Sequence, residues 1–334
     1  MGQRATVKDV ALAAGVSVAT VSRALSGARV VRPEHREIVL RTAEQLGYRP
    51  HSIAQALRQS RTGAIGMIVP RINNPFFPQL VSEAERVLQQ HDLGLLLSSS
   101  DEDPATEAKR ITMLAERQVD GLLISPSSQY ASAPALAAVA ARLPVVQFDQ
   151  CVPSVGTAFV GIDDAAGIAA VTSHLVAAGR RRLAFIGADD DNWSGMRRRE
   201  GFETWAAATD SSALGRMEAG DFSRDFGHRA ARRLLQRDEQ IDAIVCANDL
   251  IAIGALDAAA ELGLSVPDRL AITGFDDINV ATVCSPALTT VRQPVAAIVE
   301  TAIDILLAAI AGGPGEATVT QLPVELIVRG SAPA

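Results

Sequence analysis

The sequence predicts an N-terminal all-α helix-turn-helix head, followed by an α/β body of two doubly wound parallel-sheet subdomains. Three observations predict it. Two short amphipathic helices with their own caps lie within the first 25 residues. Short apolar strands then alternate with helices from residue 63 onward, and that series occurs twice. The charge also divides: residues 1–61 hold ten Lys/Arg and four Asp/Glu, a net of +6, so a chain of total charge −7 leaves −13 on the other 273 residues. A basic head on an acidic body suggests that the head meets a polyanion and the body does something else.

Length and composition agree. The 334 residues are 48% hydrophobic and 21% charged, enough for two or three domains with a sizeable core. The uncharged apolar runs stay short of a membrane span. Three scattered cysteines, Cys151, Cys246 and Cys284, make neither a disulfide framework nor a zinc cluster, and fit a reducing compartment. The N-terminus lacks the apolar core of a secretory signal. Gly2 to Thr6 fit the loose myristoylation pattern, but Thr6 has a better use as a helix cap.

In the head, Thr6 followed by Asp9 is a variant capping box, and Val7, Val10, Ala11 and Ala14 have helical spacing. Gly15 ends this helix, because glycine takes the left-handed cap conformation cheaply. Ser17 caps a second helix from Val18 to Leu25, closed by Ser26-Gly27. A third fits Pro33 to Leu46, with Ile38, Leu40, Ala43 and Leu46 as its expected buried stripe and Gly47 as its stop. The second helix would present Val18, Ala19, Thr20, Ser22 and Arg23 outward. Arg23 can pair with a guanine edge, and Val18 and Ala19 can meet thymine methyls. Thr6 and Ser17, at the helix starts, can hold phosphates with the backbone amides. Residues Ser52 to Gln59 make at most a two-turn helix. There Leu57 is either a wedge for a minor groove or a residue packed on the body.

The body strands are expected at Ile65–Val69, Leu93–Leu97, Gly121–Ile124, Pro144–Phe148, Ala158–Ile162, Leu183–Ile186, Ala243–Cys246, Ala271–Phe275 and Leu326–Val328. Helices are expected at Phe77–His91, Glu107–Arg117, Ala133–Ala141, Ala165–Ala178, Met196–Thr209, Phe226–Arg237 and Leu250–Leu262. Ligands of such sheets bind beyond the carboxyl ends of the strands. The candidates there are Asn73-Asn74, Asp149, Asp163, Asn192, Asn248-Asp249 and Asp276-Asp277. No phosphate-binding loop, zinc-protease helix or nucleophile elbow occurs, so no nucleophile and base can be named. Asp189-Asp190-Asp191 has no His or Cys beside it and reads as a solvated loop rather than a metal site. The chain is therefore expected not to be an enzyme, and to need no metal or cofactor.

This arrangement resembles the lactose/galactose repressor (LacI/GalR) family of bacterial transcription regulators over essentially the whole chain. The most specific motifs are Thr6-Val7-Lys8-Asp9-Val10-Ala11, Gly15-Val16-Ser17, Thr20-Val21-Ser22-Arg23, Leu46-Gly47-Tyr48-Arg49-Pro50, Asn74-Pro75-Phe76-Phe77, Val119-Asp120-Gly121-Leu122, Asn248-Asp249 and Pro286-Ala287-Leu288-Thr289-Thr290-Val291. The resemblance implies a helix-turn-helix domain over 1–50 and a hinge helix over 51–61. It adds Ser52, Ala54 and an intercalating Leu57 to the DNA contacts. It implies an effector-binding and dimerisation body over 62–334, crossing three times between its halves near Asp163, Gln293 and Pro323. The N-subdomain is then about 62–162 with 293–322, and the C-subdomain about 163–292 with 323–334.

The body also resembles periplasmic ribose-type binding proteins. That likeness assigns effector contacts to Asn74, Phe76, Phe77, Asp149, Arg198, Phe222, Asn248, Asp276 and Gln293. It also exposes a departure: the arginine expected after Asp149 is Gln150. The expectation is a cytoplasmic repressor responding to a small sugar, with no membrane role. No leucine-rich heptad tail follows the last strand, so a homodimer is expected, each head reading one half of a pseudo-palindromic operator. The alternatives are a purine or phosphorylated effector, or a sugar-binding protein without a DNA role.

Overall fold

The computed structural model describes residues 5–25, 31–48, 61–313 and 317–334. The chain divides into two compact units, residues 1–63 and 64–334. The expected hinge contacts Ser52, Ala54 and Leu57 lie outside the described residues.

Among its described residues the first unit has three helices: α1 (Val7–Ala14), α2 (Val18–Leu25) and α3 (Pro33–Gln45). The capping box at the start of α1 is complete, with the Thr6 backbone N–H donating to Asp9 Oδ2 at 2.7 Å and the Asp9 N–H donating to Thr6 Oγ1 at 3.4 Å. Gly15 closes α1 at φ 64°, ψ 28°, a left-handed conformation that costs glycine nothing. Ser17 Oγ then accepts the Thr20 N–H at 3.1 Å, so the next helix starts within three residues. Among the described residues its core is six small buried side chains: Val10, Ala11, Val21, Ala24, Val39 and Ala43.

The stripe expected on α3 is corrected here. Val39 and Ala43 are buried, whereas Ile38, Leu40 and Leu46 are 37%, 49% and 41% exposed. Positions 38 and 40 stand some 200° apart on a helix and cannot share its inner face, which the i, i+4 pair 39/43 occupies.

The second unit has two lobes. In the first, β1 (Ala64–Val69), β2 (Gly94–Ser99), β3 (Gly121–Ile124), β4 (Val145–Phe148), β5 (Ala158–Ile162) and β11 (Val319–Leu322) form one parallel sheet in the order β11-β5-β4-β3-β1-β2. Helices α4 (Phe76–Gln90), α5 (Pro104–Glu116) and α6 (Ala133–Ala140) connect its strands, and α11 (Val295–Ile310) packs back on it. In the second lobe, β6 (Leu183–Ala188), β7 (Met217–Gly220), β8 (Ala243–Cys246) and β9 (Ala271–Thr273) form a parallel sheet in the order β7-β6-β8-β9. Its helices are α7 (Asp164–Ala177), α8 (Trp193–Thr209), α9 (Arg224–Arg237) and α10 (Asp249–Glu261). Beside it, β10 (Thr290–Arg292) pairs antiparallel with β12 (Glu325–Ile327).

The inner strands β3, β4, β5, β6 and β8 and the end strand β9 are buried along their whole length, as strands covered on both faces must be. The helices α9 and α10 cross at Gly227 and Gly254. A Cβ on Gly254 would strike the Arg224 carbonyl, so glycine there sets the approach of the two backbones. The sequence reading lacked β7, β10, β11 and α11. Among the described residues no helix is long and apolar enough to cross a membrane.

Candidate functional site: the cleft between the body lobes

A cleft of about 440 Å³, counting its open mouth, lies at the carboxyl ends of the strands of both lobes. Eight of the nine residues assigned to the effector line it: Asn74, Phe76, Phe77, Asp149, Arg198, Phe222, Asn248 and Asp276. The ninth, Gln293, is buried behind Asp276, and its Nε2 donates to Asp276 Oδ1 at 2.8 Å.

The second-lobe wall is built on Arg198, in the second turn of α8. The side chain is almost wholly buried. Nε donates to Asp164 Oδ1 at 2.8 Å, and Nη1 donates to the Ala247 carbonyl at 2.7 Å and to Asp276 Oδ1 at 3.3 Å. The guanidinium carbon stands 3.8 Å from the centre of the Phe275 ring. Burial works against this charge, and Asp164, Asp276 and Asp149 outweigh it, so the Arg198 pKa lies above its ordinary value. A helix-surface charge at Arg198 is thereby excluded.

On the carboxylate side, burial pushes Asp149 up to about 7 against the pull of Arg198, with the Asp276 charge adding to the rise. Burial likewise raises Asp276 to about 6, opposed by Arg198 and Gln293. Both residues sit at positive φ, 61° for Asp149 and 103° for Asp276, a strain more often kept at binding sites than in ordinary turns. Ser125 Oγ donates to Asp149 Oδ2 at 3.0 Å. Gln150, which stands in place of the expected arginine, is buried. Its Nε2 donates to Ser194 Oγ at 2.7 Å, while its Oε1 accepts the Ser194 N–H at 3.1 Å, so it ties the two lobes together.

Asn248 caps α10: its Oδ1 accepts the Ile251 N–H at 2.9 Å, which leaves the amide nitrogen as its donor toward the cleft. Just before α4, Asn74 Oδ1 accepts the Phe76 N–H at 3.2 Å. The rings of Phe76 and Phe77 meet edge to face with centroids 5.5 Å apart.

Four of the strand-end candidates do not line the cleft. Asp163 caps α7, accepting the Ala166 N–H at 2.9 Å. Asp249 is buried and accepts from Thr290 Oγ1 at 2.5 Å and the Ile278 N–H at 2.8 Å. Asp277 pairs with Arg292 and Arg329, each at 2.7 Å, and Asn73 is exposed. Sequence reasoning missed Pro70, Glu102, Ser127 and Ser194. The strand-end rule applied to β1, β2 and β3 reaches the first three. Burial raises the Glu102 pKa, and Arg71 Nη2 lies 2.5 Å from its Oε2. No cluster of metal ligands occurs among the described residues.

In the head, Val18, Ala19 and Arg23 are exposed, with Thr20 and Ser22 half-buried beside them. Arg23 Nε donates to the Ala19 carbonyl at 3.2 Å. These residues share the outer face of α2, while Thr6 and Ser17 stand at the two helix starts.

A capped helix-turn-helix unit joined to a two-lobed, periplasmic-binding-protein-like body defines a class of DNA-binding transcriptional regulator. Residues 6–51 match the model of the bacterial regulatory proteins of the lacI family, and residues 172–332 match that of the periplasmic binding protein-like domain. The ribose operon repressor of Halalkalibacterium halodurans is 32% identical over 328 residues, covering 97% of this chain and 96% of that one. The HTH-type transcriptional repressor PurR of Haemophilus influenzae is 32% identical over 334 residues, covering 98% of each. Among solved structures, the lac repressor dimer bound to operator and the anti-inducer ONPF superposes with a TM-score of 0.88 at 25% identity, over 99% of this chain and all of that one. The transcriptional regulator CelR in complex with cellobiose gives 0.74 at 29%, over 98% and 100%. The chain belongs to the LacI family of bacterial regulatory proteins. It is a DNA-binding regulator of the repressor type and not an enzyme.

Proposed function

We propose that the chain is a homodimeric cytoplasmic repressor whose operator affinity is set by a small neutral sugar or polyol bound between the lobes. The observation that carries the sugar reading is the pair of buried carboxylates, Asp149 from the first lobe and Asp276 from the second, facing one cleft. Hydroxyls donate to such carboxylates, Arg198 and Asn248 donate in return, and Phe76, Phe77 and Phe222 offer apolar faces to ring C–H groups. In their ionised form the two carboxylates repel a phosphorylated ligand. A purine reading draws support from the PurR relative, and a sugar reading from the ribose repressor relative.

In this reading the lobes are residues 62–162 with 293–322 and 163–292 with 323–334, which agrees with β11 lying in the first sheet and β12 beside the second. Thr6, Ser17, Val18, Ala19, Thr20, Ser22 and Arg23 contact the operator, with Ser52, Ala54 and Leu57 of the hinge. Each head of the dimer takes one half of a pseudo-palindrome. Effector binding changes the relative stability of two lobe arrangements and so couples to DNA.

Isothermal calorimetry on the full chain tests the effector. D-Ribose, D-glucose, D-galactose and xylitol are set against hypoxanthine, guanine and ribose 5-phosphate. Binding of a neutral sugar or polyol, lost in Asp276→Ala, supports the reading. Tight binding of a purine or the phosphate, with none of the neutral compounds, refutes it.

A further inference from the structure

Two loops meet across one rim of the cleft. One follows β3 in the first lobe and the other follows β6 in the second. Ser128 Oγ donates to Asp191 Oδ1 at 2.6 Å, the Gln129 N–H donates to the Asp191 carbonyl at 3.0 Å, and Gln129 Nε2 donates to the Asp190 carbonyl at 2.5 Å. Ser128 and Gln129 are only 2% and 7% exposed, whereas Asp190 and Asp191 are exposed, so these bonds are shielded from water on the first-lobe side and open to it on the other.

The first-lobe loop is held in shape independently of its partner. Ser128 Oγ also accepts the Ala131 N–H at 2.7 Å, Ser132 Oγ accepts the Ser128 N–H at 3.2 Å, and the buried Glu107 accepts the Ser127 N–H at 2.6 Å. A preformed loop loses little freedom when it bonds to the opposite lobe. Two residues past Asp191 in the chain, Trp193 of α8 meets the Phe159 ring of β5 edge to face at 6.4 Å.

We propose that Ser128 and Gln129 with Asp190 and Asp191 form a latch that holds this rim closed through protein groups alone. They are positioning residues that restrict the effector to a single sugar ring. The inference rests on the reading of the cleft as a sugar site. Ser127 and Asn192, which line the cleft, adjoin the latch residues in the chain, so the latch is the wall beside them. A second ring attached on this side has to break the latch to enter.

The test uses the full chain carrying Trp205→Phe, which leaves Trp193 as its one tryptophan. In ligand-free protein, Ser128→Ala, Gln129→Ala and Asp191→Asn are expected to raise acrylamide quenching of Trp193 at least two-fold. Asp189→Asn, an exposed neighbour on the same loop, should stay at the parent value. By calorimetry the parent should take D-glucose, D-galactose or D-ribose but neither maltose nor lactose. Asp191→Asn should lower monosaccharide affinity at least five-fold.

Quenching unchanged in all three latch variants overturns the latch. A parent that binds a disaccharide more tightly than its component monosaccharide overturns the wall. If no sugar binds the parent, the effector reading has failed on its own terms, and quenching alone then decides the latch.

Discussion

Asp149→Asn gives the sharpest test of the cleft's electrostatics. The side chains are isosteric, and asparagine tolerates the φ of 61° at this position as well as aspartate does. Ser125 Oγ, which donates to Asp149, can turn and accept from the new amide. The folded pKa of about 7 lies above the ordinary 3.8, so the native state binds the extra proton between those values. Stability from this group is therefore greatest near pH 4, falls as pH rises to about 7, and is flat above. A shift of roughly three units corresponds to a cost of about 4 kcal/mol at pH 8. Somewhat under half of that is already present at pH 5, from the same two pKa values. Asparagine removes the cost, so the variant's advantage over the parent should widen by about 2–3 kcal/mol between pH 5 and pH 8. Urea denaturation followed by tryptophan emission measures it in the body alone, because both tryptophans, Trp193 and Trp205, lie there. The same substitution should weaken the effector, since the ligand's hydroxyl loses a charged acceptor. A variant less stable than its parent at pH 8, or an advantage that does not change with pH, would falsify the account of Asp149 as a carboxylate held against its own ionisation.

The remaining predictions concern the buried arginine and the DNA-reading surface. Arg198→Met removes the guanidinium donors to Asp164 and Asp276 and should cost about 3–5 kcal/mol in urea denaturation at pH 8, with less loss at pH 5, below the Asp276 pKa of about 6; a pH-independent loss would mean that packing on Phe275 dominates. Arg23→Ala should weaken specific operator binding by about 1–3 kcal/mol in anisotropy titrations while leaving nonspecific binding within a few fold, and an unchanged specific affinity would remove Arg23 from base reading. Leu57→Ser should reduce operator bending, measured by energy transfer between labelled DNA ends, with calorimetric sugar binding unaltered; equal bending by variant and parent would make Leu57 a packing residue.

What the sequence discloses about this molecule depends on how local the controlling physics is. The capping box at Thr6 and Asp9 and the left-handed stop at Gly15 are decided within four residues, and both were legible. The strand Ala243–Cys246 was legible to the residue, because a strand covered on both faces must be apolar throughout. The inner face of α3 was not, because Ile38 and Leu40 are larger apolar residues than the Val39 and Ala43 chosen by the crowded contact with α1 and α2. In the cleft, residue types at strand ends narrowed the choice but did not decide it. Asp276 and Asp277 are adjacent and chemically identical. The first faces Arg198 and the cleft, whereas the second is taken up by Arg292 and Arg329, from β10 and from just beyond β12. Only the return of the chain to this lobe separates their roles, and that return depends on long-range pairing of β10 with β12. Asp164 makes the same point from the other side. By sequence it is one more first-turn acid on a helix, an ordinary match to the helix dipole. In the fold it is the residue that holds Nε of Arg198 and so aims the guanidinium at the Ala247 carbonyl and Asp276. The chemistry of the site thus resides in single side chains that the sequence exposes. Its geometry resides in partners dozens of residues away, and for these the fold had to be seen.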